Sequence, residues 1–162
     1  MMNQITVMCE HAAKEYARIA TEKTVLISIV EKNNPPIEFH ENNNIVDIFR
    51  LFLNDLCVDI MDPKIPNKVL YEAPVQEDFS GLKEFIDKYK DINIVVHCAA
   101  GVSRSAGVAM AIGEYLGVET GIANSSNYDP NSVCYRCTQY ELMGYRLGDG
   151  FKKKEDTLDV IL

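Results

Sequence analysis

Hydrophobic residues recur along this chain in two patterns, one typical of buried strands and one typical of helices. Continuous aliphatic runs favour strands that are covered on both faces of a sheet. Apolar residues that recur every three to four positions favour helices with one buried face. The predicted strands are residues 5–8, 24–30, 48–53 and 94–96, and the predicted helices are residues 10–20, 79–90, 103–116 and 131–145.

The order of these segments predicts the fold class. Strands that alternate with helices indicate an α/β sandwich, with a central, mainly parallel sheet of four to five strands flanked by helices. Two segments rich in Asn and Pro, residues 32–44 and 61–67, are typical of surface loops. A chain of 162 residues is long enough for one hydrophobic core and short for two. We therefore expect residues 1–162 to form a single domain.

Charge narrows the range of partners. The chain has 16 basic and 24 acidic residues and a formal net charge of -8, which argues against nucleic acids and anionic membrane surfaces as partners. A basic run at residues 152–154 is most simply a solvated tail. No apolar run approaches the roughly 20 residues that span a bilayer, and the first residues lack the pattern of a secretion signal. These features predict a cytoplasmic protein, and they leave its oligomeric state open.

The number of cysteines is also typical of a cytoplasmic protein. Five cysteines, an odd number, are more typical of reduced thiols than of a disulfide framework. Cys134 and Cys137 form a C-x-x-C pair, for which a redox or zinc role has to be considered. We expect both to lie one turn apart inside the last helix, and the sequence offers no second pair of ligands. No metal and no cofactor are therefore predicted.

The strongest chemical signal is the string His-Cys-Ala-Ala-Gly-Val-Ser-Arg-Ser at residues 97–105, directly after the strand at 94–96. A loop of small residues between a strand and a helix turns its N–H groups inward, and such a nest binds a tetrahedral oxyanion and stabilises a thiolate. The planar guanidinium of Arg104 presents a fork of donors that grips two phosphate oxygens. The sequence therefore predicts phosphate chemistry at the sulfur of Cys98.

This string resembles the phosphate-binding loop of cysteine-dependent protein tyrosine phosphatases, most closely the compact dual-specificity branch. The resemblance implies hydrolysis of phosphate monoesters through a cysteinyl-phosphate, with Cys98 as nucleophile and Arg104 as phosphate clamp. It also implies that Ser105 donates a hydrogen bond to the sulfur and that His97 orders the loop. The remaining residues implied to bind substrate are Ala99, Ala100, Gly101, Val102 and Ser103.

The family also supplies an aspartate upstream of the cysteine as general acid, and four aspartates are candidates. Asp55 is preferred because it follows the strand at 48–53 and would project at the carboxyl edge of the sheet, where open α/β sheets place their ligands. It lies 43 residues before Cys98, a longer separation than compact relatives usually show. We expect the loop near residues 61–68 to absorb the extra length. Asp59 is the second choice, Asp62 is a further candidate, and Asp78 is more simply interpreted as an N-terminal helix residue that favours the helix dipole.

The loop carries no lysine and the chain is acidic, which favours phosphorylated proteins or small aryl phosphates over inositol phosphates as substrates. A shallow site would admit phosphotyrosine and also phosphoserine or phosphothreonine.

Two other functions remain open for a protein with this loop. One is a catalytically weak module that binds phosphopeptides, and the other is an arsenate reductase or sulfurtransferase, which also place a cysteine in an anion-binding loop. If Cys98 oxidises, Cys57 is the predicted disulfide partner, because it lies close in sequence to the proposed acid loop around Asp55.

Overall fold

The computed structural model describes residues 3–144, and a four-stranded sheet lies at its centre. Strands and helices alternate along most of the chain, as the sequence predicts. One short hairpin and one 3₁₀ segment, Gln76–Phe79, interrupt the alternation. The strands are β1 (Ile5–Cys9), β2 (Thr24–Val30), β3 (Ile45–Phe52), β4 (Ile60–Met61), β5 (Val69–Tyr71) and β6 (Asn93–Cys98), and the helices are α1 (Glu10–Ile19), α2 (Leu82–Lys88), α3 (Arg104–Leu116) and α4 (Ser132–Met143).

The central sheet has the strand order β1-β6-β2-β3, and every neighbouring pair is parallel. The predicted α/β fold, with a parallel sheet of four to five strands flanked by helices, is thus confirmed. Because all four strands run in one direction, their carboxyl ends meet at one edge of the sheet. Cys98 ends β6 at that edge and is the register partner of Cys9, which ends β1.

Both faces of the sheet are buried, which explains the continuous apolar runs in the sequence. Alternate residues of β2 point to opposite faces. Val25 and Ile27 pack in the larger core with residues of α3 and α4, whereas Leu26 packs with Ala17 of α1 on the other face. The sheet therefore lies between α1 on one side and the remaining helices on the other.

Three segments differ from the prediction by more than two residues or in kind. The third strand begins at Ile45 rather than at residue 48. The helix predicted over 79–90 is the shorter α2, which starts only after Gly81 because that residue adopts a left-handed backbone with φ of +90°, and Phe79 instead ends the 3₁₀ segment. The predicted loop at residues 61–67 is the turn of an antiparallel hairpin, whose strands β4 and β5 are short and exposed.

The last predicted helix is present as α4, which ends at Met143. Its expected final residue, Tyr145, and the basic run at residues 152–154 lie outside the described residues. Within residues 3–144, no helix has the length and apolar character needed to cross a membrane.

Candidate active site

The loop at residues 99–103 connects β6 to α3 and carries the motif predicted to bind phosphate. Cys98 is the last residue of β6 and is 2% exposed. Its Sγ atom lies 3.0 Å from the Oγ of Ser105, in the first turn of α3, and the backbone N–H of Gly101 donates to it at 3.3 Å. The sulfur is therefore held at the N-terminus of a helix by one donor of the loop and one of the helix itself.

These contacts make Cys98 chemically distinct from the other buried cysteines. Burial alone would raise the pKa of Cys98, but the hydroxyl and amide of Ser105, the amide of Gly101 and the charge of Arg104 together hold it below its ordinary value. Burial without such donors raises the pKa of Cys137 to about 12 and also raises that of Cys134. Deprotonation is thus easier at Cys98 than at the other two buried cysteines.

The C-x-x-C pair lies inside α4, as predicted, with both thiols buried. Within residues 3–144, no group of three His, Cys, Asp or Glu side chains converges on a point where it could hold a metal ion.

Gly101 fixes the path of the loop. Its backbone is left-handed, with φ of +71°, and a Cβ at this position would lie 2.6 Å from the backbone nitrogen of Cys9 and 2.7 Å from the carbonyl carbon of Met8. The loop also accepts a hydrogen bond at the carbonyl of Ala99 from the amide of Glu10, at 3.1 Å. The end of β1 and the start of α1 therefore form a close wall behind the loop, and only glycine fits against it.

Arg104 is a buried cation at the start of α3, with 5% of its surface exposed. One guanidinium nitrogen, Nη1, donates to the carbonyl of Leu53 at the end of β3, at 2.9 Å. The buried Nε atom has no hydrogen-bond partner among residues 3–144. Since an unpaired buried donor on a charged group costs free energy, this arrangement is suited to an anion that accepts the remaining bonds.

His97 lies behind the loop and is fully buried. Its Nδ1 is 3.2 Å from the carbonyl of Cys98, which only accepts, so Nδ1 carries the hydrogen and Nε2 accepts from the hydroxyl of Ser28 at 2.6 Å. The ring edge also contacts Phe39. Burial above all lowers the pKa of His97, which favours the neutral ring. The neutral imidazole thus ties the carbonyl of Cys98 to the neighbouring strand β2.

Asp55, the preferred general acid, follows β3 and is in contact with the loop. Its Oδ1 atom accepts from the hydroxyl of Ser103 at 2.7 Å and from the side-chain amide of Asn131 at 3.1 Å. Asp59, the second choice, instead accepts from the amide of Ala73 at 2.9 Å. The other two candidates also bond elsewhere, Asp62 to the amide of Lys64 and Asp78 to the amide of Val75.

Sequence reasoning missed two polar residues that support the site, Ser28 and the side-chain amide of Asn131. Ser28 is the only hydroxyl residue inside the apolar part of β2, and a polar residue within a buried run is a signal from which a hydrogen-bonding role could have been predicted. For Asn131 the sequence predicts only a place at the start of the last helix, because its contact with Asp55 joins segments 76 residues apart.

No protein-family model matches the chain, and no curated protein matches it significantly. Among solved structures, the chain is similar to the human tyrosine phosphatase-like serine/threonine/tyrosine-interacting protein, with 23% sequence identity and a TM-score of 0.45 over 72% of this chain and 74% of that chain. It is also similar to human DUSP28, with 15% identity and a TM-score of 0.48 over 85% of this chain and 90% of that one. A third similar structure is PTPMT1 in complex with PI(5)P, with 14% identity and a TM-score of 0.48 over 86% and 90% of the two chains.

Proposed function

We propose that this protein is a cysteine-dependent phosphatase of the protein tyrosine phosphatase superfamily, close to the dual-specificity branch. The observation that carries the proposal is the pairing, in one loop, of a buried thiol whose pKa is lowered with a buried guanidinium that has an unpartnered donor. Cys98 supplies the nucleophile and Arg104 the clamp. A tetrahedral phosphoryl group satisfies both, since it accepts hydrogen bonds from the guanidinium and the loop amides while the sulfur attacks phosphorus.

In the first step, the thiolate of Cys98 attacks the phosphorus of a phosphate monoester. The S–P bond forms as the P–O bond to the leaving group breaks, and the leaving oxygen takes a proton from Asp55. Arg104 and the backbone amides of residues 99–104 hold the non-bridging oxygens, where charge accumulates in the loose transition state. Asp55 is suited to this role by its hydrogen bond to Ser103, which holds its carboxyl group beside the loop.

In the second step, water attacks the phosphorus of the cysteinyl-phosphate. The S–P bond breaks, the carboxylate of Asp55 takes the proton of the water, and inorganic phosphate leaves. The hydroxyl of Ser105 donates to the sulfur of Cys98 as negative charge returns to it. His97 acts through its hydrogen bonds, holding the carbonyl of Cys98 in place, and carries no proton between the reactants.

We propose phosphorylated proteins and small aryl phosphates as substrates. Three side chains of the loop, those of Ala99, Ala100 and Val102, are exposed, and none is charged. An open, uncharged rim fits phosphotyrosine, phosphoserine or phosphothreonine on a protein better than a polyanionic inositol phosphate. A thiolate nucleophile is active only while reduced, so we also propose the cytoplasm as its compartment.

The test is phosphate release from p-nitrophenyl phosphate by the native protein and by Cys98→Ser. Turnover by the native protein and none by the variant is expected, because a serine hydroxyl stays protonated at neutral pH. Asp55→Ala should lower the rate about 10²- to 10⁴-fold, as loss of a general acid does. Asp59→Ala is the matched control, since Asp59 bonds to the hairpin, and its rate should stay near that of the native protein.

Other outcomes identify the rival activities. Retention of a phosphopeptide without turnover by the native protein would point to a binding module. Reduction of arsenate or turnover of thiosulfate, with phosphate esters left intact, would place the loop in one of the other two enzyme classes.

A further inference from the structure

Asn131 stands at the N-terminus of α4 and is 5% exposed. Its Oδ1 atom accepts from the backbone amides of Val133 and Cys134, at 3.0 and 2.9 Å. Because both of these partners only donate, the accepting atom must be the oxygen of the side chain. The NH₂ group therefore necessarily faces the opposite way, toward the segment that follows β3.

On that opposite side, the NH₂ group of Asn131 donates to Oδ1 of Asp55 at 3.1 Å and to the carbonyl of Leu56 at 3.2 Å. The backbone amide of Asn131 also donates to the carbonyl of Ser103 at 3.0 Å, and the hydroxyl of Ser103 donates to the same Oδ1 of Asp55. These bonds close three segments into one hydrogen-bonded ring. The segments are the acid loop, which is the stretch after β3 that carries Asp55 and Leu56, the phosphate loop at residues 99–103, and the start of α4.

Capping alone does not require this side chain. Serine or aspartate caps a helix about as well as asparagine, because the cap needs only an oxygen acceptor. Asparagine adds two N–H donors, and here both are used on the acid loop. The hydrogen bonds from Ser103 and Asn131 both fall on one oxygen of Asp55, Oδ1, so they hold the carboxyl group against the loop through that oxygen and leave Oδ2 outside these two bonds.

We propose that Asn131 is the positioning residue that sets the general acid Asp55 against the phosphate loop. This inference rests on the proposed phosphatase function. It assigns to Asn131 an effect on protonation of the leaving group, separate from its effect on the stability of α4.

Asn131→Asp separates the two effects. Aspartate keeps the oxygen that caps α4, but it replaces the two donors with an oxygen that repels Asp55 and the carbonyl of Leu56. The matched control is Asn42→Asp. Asn42 also accepts from a backbone amide, that of Asn44, and donates to the carbonyls of Ala17, near the end of α1, and of Ala20, just after it. It lies before β3 and so at the opposite edge of the sheet.

The readout is the ratio of kcat on phenyl phosphate to kcat on p-nitrophenyl phosphate. Protonation by an acid matters most for phenol, the poorer leaving group, so Asn131→Asp should lower this ratio about tenfold or more, within the range that a general acid supplies. Asn42→Asp should leave the ratio unchanged. In an Asp55→Ala background, Asn131→Asp should have little further effect on the ratio, because the two residues act through one step.

Asn131→Ser keeps the cap, removes the donors and adds no charge, so it serves if the aspartate variant does not fold. Equal losses on both substrates, or a full further loss in the Asp55→Ala background, would show that Asn131 supports only the fold and would overturn the inference. If the native protein turns over neither phenyl phosphate nor p-nitrophenyl phosphate, the proposed function is overturned, and this inference with it.

Discussion

Gly101→Ala tests whether the phosphate loop depends on its close approach to β1. The substitution adds one methyl group at a left-handed backbone position with φ of +71°. That methyl would meet backbone atoms at 2.6 to 2.9 Å, the nitrogen of Cys9 and the carbonyl of Met8. Backbone atoms in a paired strand cannot rotate away as a side chain could, so either the loop or the end of β1 has to move.

The magnitude follows from two contributions. A left-handed conformation costs a residue with a Cβ about 1–2 kcal/mol. Forcing a methyl group into a closely packed position costs about 1–3 kcal/mol more. We therefore expect Gly101→Ala to lower the free energy of unfolding by about 2–5 kcal/mol. Gly117→Ala is the control, because Gly117 has φ of +70° but no atom within 4 Å of the added methyl, so it carries the first contribution alone.

Urea unfolding of the two variants measures the difference directly. A second measurement is alkylation of Cys98 by iodoacetate, since movement of Gly101 removes the amide that donates to the sulfur. Alkylation at neutral pH should slow in Gly101→Ala and stay unchanged in Gly117→Ala. Equal destabilisation by the two substitutions, with equal alkylation, would refute the view that contact with β1 shapes the loop.

Two further predictions concern the sulfur itself. Ser105→Ala removes a hydroxyl that donates to the thiolate, so it should raise the pKa of Cys98 and move the pH midpoint of its alkylation upward; an unmoved midpoint would contradict the hydrogen bond. Hydrogen peroxide should oxidise the Cys98 thiolate to a sulfenic acid, with release of hydroxide, and a neighbouring thiol should then attack that sulfur and displace water to form a disulfide. Cys9 is the expected partner, because it is the register partner of Cys98 across β1 and β6, and adjacent strands hold Cα atoms about 4.8 Å apart, within the range of disulfides. Peptide mapping should find the Cys9–Cys98 link and dithiothreitol should restore activity, whereas a link to Cys57, whose sulfur lies beside Ser132, would contradict this assignment.

The sequence could predict those parts of the structure that depend on local pattern. Strands buried on both faces appear as apolar runs, and the phosphate loop appears as a contiguous motif. The late start of α2, after Gly81, was not predicted, because the apolar spacing continues on both sides of the left-handed residue. The supporting contacts of the site could not be predicted from the sequence either. The hydrogen bonds of His97 with Ser28 and of Asn131 with Asp55 join residues that are 69 and 76 positions apart. Only the fold brings such pairs together.

The long separation between Asp55 and Cys98 does not weigh against Asp55 as the acid, because the end of β3 determines where Asp55 lies. The carbonyl of Leu53 accepts from the guanidinium of Arg104, so the end of this strand is tied to Arg104 two residues before Asp55. The two ends of the hairpin lie close together, because Asp59 before it accepts from the amide of Ala73 after it. Residues between those two positions add chain length without moving β3 or the loop. The contact of Asp55 with the site is therefore independent of the length of the hairpin.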